Sequence, residues 1–288
     1  MSVLQVAPKP DSREITSWGA RFDGPTTVAC VIVVVFTLAA VFAPVIAPYD
    51  PTQVDPSAVY QGPSVAHLLG TDNTGRDILS RLLHGARSSL LGPAIVVLIA
   101  AVVGTVIAVS AAWIGGRFDA FVSRALDVIF AFPGLILAIV AVAVIGPGLL
   151  APAAALSISY IPYIARVLRT AAIRQRNLPY IAALEVQGFG AVAICVRHLV
   201  PNLLPLLIVQ ATVSYGYALL DLSAISFLGL GTQPPTPEWG LMVANGQSSI
   251  IAGHVEQSLY AGLTILVAVV AFNVLGQGLA KAFMGDDR

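Results

Sequence analysis

The sequence predicts an all-α, polytopic membrane protein with six membrane-spanning helices, and three observations support this fold class. Of the 288 residues, 57% are apolar and only 10% are charged, whereas ordinary globular chains carry about 25% charged residues. The mean hydropathy is +0.85, so the chain has more apolar surface than soluble cores of ordinary size would bury. Charge-free stretches long enough to cross a hydrocarbon layer of about 30 Å also recur along the chain.

The charge-free stretches place the six helices in chain order, because a helix in lipid satisfies its own backbone hydrogen bonds. The longest stretch, 128–165, contains the turn signal Gly146-Pro147-Gly148, which divides it into two helices. Small residues spaced four apart, such as Gly104 and Ala108, predict close packing within one bundle. The predicted helices are 28–48, 88–116, the two halves of 128–165, about 203–230, and 257–280.

An even number of helices places both termini on one side, and the Lys and Arg residues indicate which side this is. Basic residues are retained on the cytoplasmic face during insertion. With the N-terminus inside, twelve of the fifteen are cytosolic, and Arg76, Arg81 and Arg87 are outside. The cytosolic ones are Lys9, Arg13, Arg21, Arg117, Arg124, Arg166, Arg169, Arg174, Arg176, Arg197, Lys281 and Arg288. The predicted parts are a cytosolic tail (1–27), a first helix (28–48), an extracytoplasmic segment (49–87), a five-helix core (88–280) with a cytosolic loop (177–202), and a cytosolic tail (281–288).

The residue types that catalysis would need are absent or misplaced. The chain has no Gly-rich phosphate loop ending in Lys and Ser or Thr. His67, His84 and His254 fall in predicted outside segments and His198 in a cytosolic one, and no metal-binding pair of His, Cys or carboxylates has suitable spacing. The zero net charge gives no clustered basic surface for nucleic acid. We therefore expect a non-catalytic chain with no metal, no bound cofactor and no nucleic-acid partner.

Two carboxylates near or within the predicted helices are candidates for function, because charges in the membrane are costly. Asp127 follows Arg124 by three residues, which predicts an ion pair at the cytosolic interface. Asp221 lies about 18 residues into the fifth helix, in its outer half. It is a candidate to line a pore or to contact a cationic group on cargo. The alternatives are a carboxylate capped by hydroxyls such as that of Ser223, or one paired with a neighbouring subunit.

The cytosolic loop 177–202 predicts two short helices around a glycine turn. Ala182, Ala183 and Leu184 favour a helix, Gly188 and Gly190 supply a break, and the helical pattern resumes at 194–199 before Pro201. A compact helix pair between membrane spans suggests a surface on which a cytosolic partner docks.

This loop resembles the EAA motif of the permease subunits of binding-protein-dependent ABC importers, specifically the second, C-type permease of the dipeptide and oligopeptide group. Gly188, Pro201 and the ending Arg197-His198-x-x-Pro201-Asn202 fall in register with the motif. The usual Glu-Ala-Ala is replaced by Ala182-Ala183-Leu184, and Glu185, one turn along, is the carboxylate that would substitute.

Three further segments strengthen the resemblance, which extends from about residue 28 to residue 280. They are the outside segment His67–Arg81, the fifth-helix exit formed by Ser226–Gly231 with Pro234–Gly240, and the pattern Arg124-x-x-Asp127-x-x-Phe130-x-Phe132-Pro133. Four ordered motifs are more specific than any one of them alone.

The resemblance implies a six-helix ABC importer permease bundle with a cytosolic coupling-helix loop, in the plasma (inner) membrane. Its implied partners are a second, homologous permease, two cytosolic ABC ATPases that bind ATP and Mg, an extracytoplasmic solute-binding protein and membrane lipid. The implied cargo is di- or oligopeptides. The ATPase-coupling residues would be Tyr180, Ala182, Ala183, Glu185, Gly188, Arg197, His198, Pro201 and Asn202. Binding-protein contact or gating would fall to Gly70, Thr71, Asp72, Gly75, Arg76 and Asp77, with a stabilising cap as the alternative role for that segment.

Two other classes of protein remain as alternatives. A stand-alone secondary transporter or channel would need broken helices and several polar groups facing a pore, and only Asp221 and Pro133-Gly134 suggest this. An intramembrane enzyme is disfavoured by the histidine positions. Within the ABC family, nickel or glutathione-like cargo is the alternative to peptides.

Overall fold

The computed structural model describes residues 23–284, and this part of the chain is mostly helical, with no β-strand. Lys9, Arg13, Arg21 and Arg288, which the sequence places in the cytosolic tails, lie outside the described residues. A 3-10 turn spans Pro56–Ala58 and a π turn spans Cys195–Leu199. The α-helices are α1 (Gly24–Ile46), α2 (Ile78–Ile114), α3 (Gly116–Phe130), α4 (Gly134–Ile145), α5 (Leu150–Arg176), α6 (Pro179–Val186), α7 (Ala191–Ile194), α8 (Val200–Phe227), α9 (Trp239–Asn245), α10 (Gln247–Ile251) and α11 (Glu256–Met284).

The helix lengths confirm an all-α polytopic bundle. In the described chain, five helices are long and apolar enough to cross a membrane, namely α1, α2, α5, the continuous run of α7 and α8, and α11. A sixth span results if α3 and α4, which meet at 76°, are counted as one bent span. Helix α2 has 37 residues and begins at Ile78, so it extends well into the segment predicted to be extracytoplasmic.

The predicted third helix, starting at Val128, is not continuous. Val128 belongs to α3, the helix is interrupted at Pro133, and α4 has only 12 residues. At 1.5 Å per residue, α4 is about 18 Å long, well short of the hydrocarbon thickness of about 30 Å. Proline disfavours the helical conformation for the residue before it and cannot donate a backbone hydrogen bond, which explains the break.

Helix α2 lies at the centre of the bundle, where it packs mainly against α5 and α8. The small residues on α2 allow this close approach: a Cβ on Gly104 would lie 3.3 Å from the backbone nitrogen of Ala165. Ala108 is fully buried in the same core. Helix α1 packs on α11 and α2 at the periphery, with only 11% of its most apolar window buried, so most of its surface is available to lipid.

The segment between α8 and α11 is fixed to the start of α2. Trp239 is 1% exposed, and its indole nitrogen donates to the Leu82 carbonyl at 2.9 Å. Glu238 caps α9 by accepting from the amides of Gly240 and Leu241 at 2.9 and 2.8 Å. Its carboxylate also accepts from the Ser89 hydroxyl at 3.0 Å. This junction holds the end of the bundle that the sequence predicts to be extracytoplasmic.

Candidate functional site

The loop 177–202 contains one preformed, exposed helix, α6. Proline at the first helical position fits because its missing N–H would have no partner there, and its φ suits the helix. Ile181 is 1% exposed and anchors the helix to the bundle, whereas Ala182, Ala183 and Glu185 are exposed. The first of the two predicted short helices is therefore present, and its outer face is open within the described chain.

A Schellman motif ends α6, and it requires Gly188. The amide of Phe189 donates to the Leu184 carbonyl at 3.1 Å, and the amide of Gly188 donates to the Glu185 carbonyl at 3.0 Å. This pair of bonds needs a residue of positive φ, and Gly188 has φ +84°. A Cβ at this position would meet no atom within 4 Å, so the turn faces open space.

The prediction of a second short helix is wrong. Helix α7, the π turn and α8 run without a break from Ala191 to Phe227, so the loop leads directly into a membrane-spanning helix. Pro201 does not end this continuous helix but is the second residue of the part labelled α8. Proline lacks the N–H that would bond four residues back and its ring crowds that carbonyl, and the preceding π turn, Cys195–Leu199, widens the helix where this occurs.

Hydrogen bonds tie the loop to the two helices that flank it. The Asn202 side-chain amide donates to the Tyr180 hydroxyl at 2.9 Å, and that hydroxyl donates to Gln175 Oε1 at 3.3 Å. Arg176 at the end of α5 donates to the Ala112 carbonyl of α2 at 2.8 Å. The Tyr180 hydroxyl of α6 therefore contacts both α5 and α8.

Exposed apolar side chains lie on both sides of the glycine turn. Val186 is 89% exposed and Val192 is 78% exposed. Arg197 is exposed beside them, and His198 approaches the Phe189 ring edge-on, with centroids 6.5 Å apart. The structure thus brings the predicted coupling residues together on one contiguous region of the chain.

The predicted extracytoplasmic residues 70–77 form a folded cap around Asp72. Its carboxylate accepts from the Thr74 amide and hydroxyl at 2.8 and 2.7 Å, and it pairs with Arg76 Nε at 2.7 Å. Burial by itself would raise the pKa of Asp72, but the hydrogen bonds from Thr74 and the charge of Arg76 outweigh it and hold the pKa below its usual range. Arg81 also lies nearby, with Nε 3.7 Å from the same carboxylate.

Other members of this segment are equally internal. Asp77 caps α2 by accepting from the Ser80 amide at 2.8 Å, and it contacts His67 at 3.0 Å. Gly70 and Gly75 have φ values of +78° and +79°, and a Cβ on Gly75 would collide with the Asp55 backbone. These side chains and glycines shape the cap from within, whereas contact with a binding protein remains a prediction.

Asp221 lines a cavity of about 610 Å³ between the start of α4 and helices α5 and α8. The Tyr160 hydroxyl donates to Asp221 Oδ2 at 2.9 Å. The hydroxyl suggested from sequence, that of Ser223, does not take part, since Ser223 Oγ is buried without a hydrogen-bond partner. Residues 221 and 223 point in different directions on a helix with 3.6 residues per turn, so the nearer hydroxyl comes from another helix.

A row of aromatic side chains connects this cavity with the predicted cytosolic face. The rings of Tyr160 and Tyr163 are 5.7 Å apart, and those of Tyr163 and Phe130 are 5.0 Å apart. The Arg166 guanidinium lies 4.4 Å above the Phe130 ring. Sequence reasoning missed this row, although the i, i+3, i+6 spacing of Tyr160, Tyr163 and Arg166 is a signal for a shared helix face.

The predicted Arg124–Asp127 ion pair is wrong. Asp127 pairs instead with Arg166 of α5 at 2.7 Å, because the end of α3 faces α5 and Arg166 already rests on Phe130. Within residues 23–284, no salt bridge includes Arg124. A second link between the same helices joins Asp119 to Arg169 through two parallel hydrogen bonds.

Within the described residues, no group of three or more His, Cys, Asp or Glu side chains could hold a metal ion. The carboxylates noted above are either hydrogen-bonded caps, members of ion pairs with arginine, or, in the case of Asp221, a single acid in a cavity.

Comparison with known proteins agrees with this geometry. Residues 102–284 match the family described as the inner membrane component of binding-protein-dependent transport systems. Residues 27–63 match the N-terminal transmembrane domain of oligopeptide transport permease C. A dipeptide transport system permease of Escherichia coli is 42% identical over 88% of this chain and 87% of its own length. A di/tripeptide permease of Pseudomonas aeruginosa is 41% identical, covering 84% and 82%, and a dipeptide permease of Haemophilus influenzae is 35% identical, covering 97% and 96%.

Proposed function

The chain belongs to the family of binding-protein-dependent transport system inner membrane components, and on that premise we propose that it forms half of the translocation path of an ATP-driven importer of di- and oligopeptides. The permease role follows from the family. The cargo class is supported by the relatives, which are named as dipeptide or di/tripeptide permeases and are matched over most of their length.

The observation that carries the mechanism is the exposed helix α6 joined directly to two long helices. Its last residue, Val186, is 89% exposed, and near its first end the Tyr180 hydroxyl is hydrogen-bonded to Gln175 of α5 and to Asn202 of α8. Helices α5 and α8 also form the walls of the 610 Å³ cavity. A cytosolic ATPase that binds α6 and changes shape on ATP would therefore tilt the helices that line the path.

The proposed assembly supplies what this chain lacks. A second, homologous permease closes the open side of the cavity, two cytosolic ATPases bind ATP and Mg and hold one permease loop each, and an extracytoplasmic protein delivers cargo. Coupling requires that ATP favours one of two conformations of the complex, because a ligand shifts an equilibrium only by its differential affinity for the two states. The bent junction between α3 and α4 and the π turn before α8 are places where such a change can be accommodated.

Reconstitution of this chain in liposomes with the second permease, the ATPases and the binding protein tests the function. We expect uptake of a labelled tripeptide that depends on ATP and on all four partners, and no flux from this chain alone. Autonomous flux through the isolated chain would refute the proposal and favour a secondary transporter.

Cysteine labelling tests the orientation with two matched variants. Val186→Cys and Val65→Cys each replace an exposed valine, 89% and 100% exposed respectively, in a background where Cys30 and Cys195 are changed to alanine. In right-side-out vesicles, a membrane-impermeant maleimide should label residue 65 and spare residue 186 until the vesicles are opened. Labelling of residue 186 from outside would contradict a cytosolic coupling loop and both cytosolic termini.

A further inference from the structure

Asp221 lies within a membrane-spanning helix and has no cationic partner among residues 23–284. Asp119 and Asp127 of α3 pair with Arg169 and Arg166. Asp221 accepts one hydrogen bond, from Tyr160, although an ionised carboxylate has about four acceptor sites. No salt bridge within residues 23–284 includes it. Because a charged group at this depth is costly, the empty acceptor sites favour a cation supplied from elsewhere.

The cavity around Asp221 has the chemistry of an ammonium site. Tyr160, Tyr163, Tyr217 and Phe130 line it together with Asp221, and an aromatic face attracts a cation within about 6 Å of its centre. The molecule already uses this interaction at the edge of the cavity, where the Arg166 guanidinium lies 4.4 Å from the Phe130 ring. A carboxylate flanked by aromatic rings therefore offers both a charge-assisted hydrogen bond and a favourable wall for N–H and C–H groups.

We propose, on the basis of the proposed peptide-import function, that Asp221 and the aromatic side chains around it form a transit subsite for the α-ammonium group of the peptide. The α-ammonium is the cation that every unmodified peptide carries whatever its side chains, and its pKa of about 7.7–8.0 keeps it largely charged at neutral pH. A site that reads only this group suits a path that must pass many sequences. The cavity of about 610 Å³ lies within the usual range for small-ligand sites, about 300–1,000 Å³.

A single carboxylate would bind the α-ammonium group with a strength suited to transport, in which cargo must leave the site again. A single charge-assisted hydrogen bond is roughly twice as strong as a neutral one, which holds a peptide briefly without trapping it. The competing occupant is a basic side chain of the second permease, which would neutralise Asp221 permanently and leave no room for cargo. Protection of a cavity cysteine by peptide distinguishes these two occupants.

Cysteine protection in the complete complex measures occupancy directly. Gln210, which lines the cavity but is not one of the aromatic side chains of the subsite, is changed to Cys in a background with Cys30→Ala and Cys195→Ala, and the rate of maleimide labelling at residue 210 is followed. The probes are trialanine and propionyl-dialanine, which differ only in the α-ammonium. We expect millimolar trialanine to slow labelling several-fold, propionyl-dialanine to have no effect, and Asp221→Asn to abolish the protection by trialanine.

Uptake in liposomes supplies the second readout. Asp221→Asn should lower kcat/KM for trialanine about tenfold, as expected for one charged hydrogen bond, with Asp221→Glu recovering part of it and the second permease still co-purifying. Four results would each overturn the subsite: equal protection by the two peptides, equal protection before and after the Asp221→Asn change, no protection at all, or loss of the second permease in Asp221→Asn. Absence of ATP-driven trialanine uptake by the unmodified complex would instead overturn the proposed function.

Discussion

Replacing Gly188 by aspartate is the strongest test of the coupling loop, because the structure separates the backbone effect from the charge effect. Gly188 has φ +84°, and a side chain there would meet no atom within 4 Å. A residue other than glycine in this conformation costs about 1–2 kcal/mol, and Asn and Asp tolerate it best. Gly188→Asn is therefore a matched control with nearly the same shape and no charge.

The expected difference between the two variants arises only when a partner covers the turn. A carboxylate enclosed in an interface without a counter-charge costs about 2–3 kcal/mol more than a neutral polar group, which is about 30- to 150-fold in a docking equilibrium. We expect Gly188→Asp to lower peptide uptake per ATP hydrolysed more than about tenfold in liposomes, and Gly188→Asn less than about threefold. Purified yield and thermal midpoint should be nearly equal for the two variants, since the turn is exposed in the isolated chain.

Several results would refute this reasoning. Normal uptake by Gly188→Asp would remove the loop from the coupling pathway. Equal losses in the Asp and Asn variants would show that the turn conformation, rather than enclosure of the side chain, is what matters. A large fall in thermal midpoint for Gly188→Asp alone would mean that residue 188 is already covered within the chain.

Three further predictions concern the bundle and the cap. Gly240→Ala should lower the thermal midpoint in detergent, at a cost of about 1–3 kcal/mol, because its Cβ would lie 2.8 Å from the Ser223 Cα, a backbone atom that cannot move aside. The control Gly262→Ala, with no atom within 4 Å, should leave the thermal midpoint unchanged or raise it. The depressed pKa of Asp72 means that its stabilisation is complete above the ordinary value of 3.8 and is lost as the pH falls through the lower, folded value. Proteolysis of segment 56–77 should therefore accelerate only below about pH 4. Asp72→Asn should reduce this pH dependence, and Asp55, whose pKa is also lowered by hydrogen bonds from Ser57, accounts for the remainder. Asp119→Arg should destabilise the contact between α3 and α5 and lower the thermal midpoint. Combining it with Arg169→Asp should restore most of the thermal midpoint. If the double variant shows no recovery, the pair contributes by packing alone.

The positions that the sequence predicted well are those governed by local rules. Helix α6 and its glycine turn follow from Pro179, the helix-favouring alanines and Gly188. The packing role of Gly104 follows from its spacing to Ala108. Each of these depends on backbone preference or on residue size at short range. Both properties can be inferred from the sequence alone.

The errors concern partners that lie far apart in the chain. Asp127 pairs with Arg166, 39 residues away, rather than with Arg124. Asp221 meets Tyr160, 61 residues away, rather than Ser223. The sequence also predicted a helix end before Pro201, but a π turn allows α8 to continue through it. In each case, a tertiary neighbour or an adjusted backbone replaced the nearest partner in sequence.

The sequence by itself determined that this chain spans a membrane as an all-α bundle and which family's motifs it carries, because apolar length and motif spacing are local properties. Tertiary structure alone decided that α6 is bonded to both α5 and α8, and that Asp221 faces an aromatic cavity with no cation beside it within the described residues. The physical reason is that the depth and charge balance of a buried carboxylate depend on which helices pack around it, and those contacts join residues that the chain order keeps far apart.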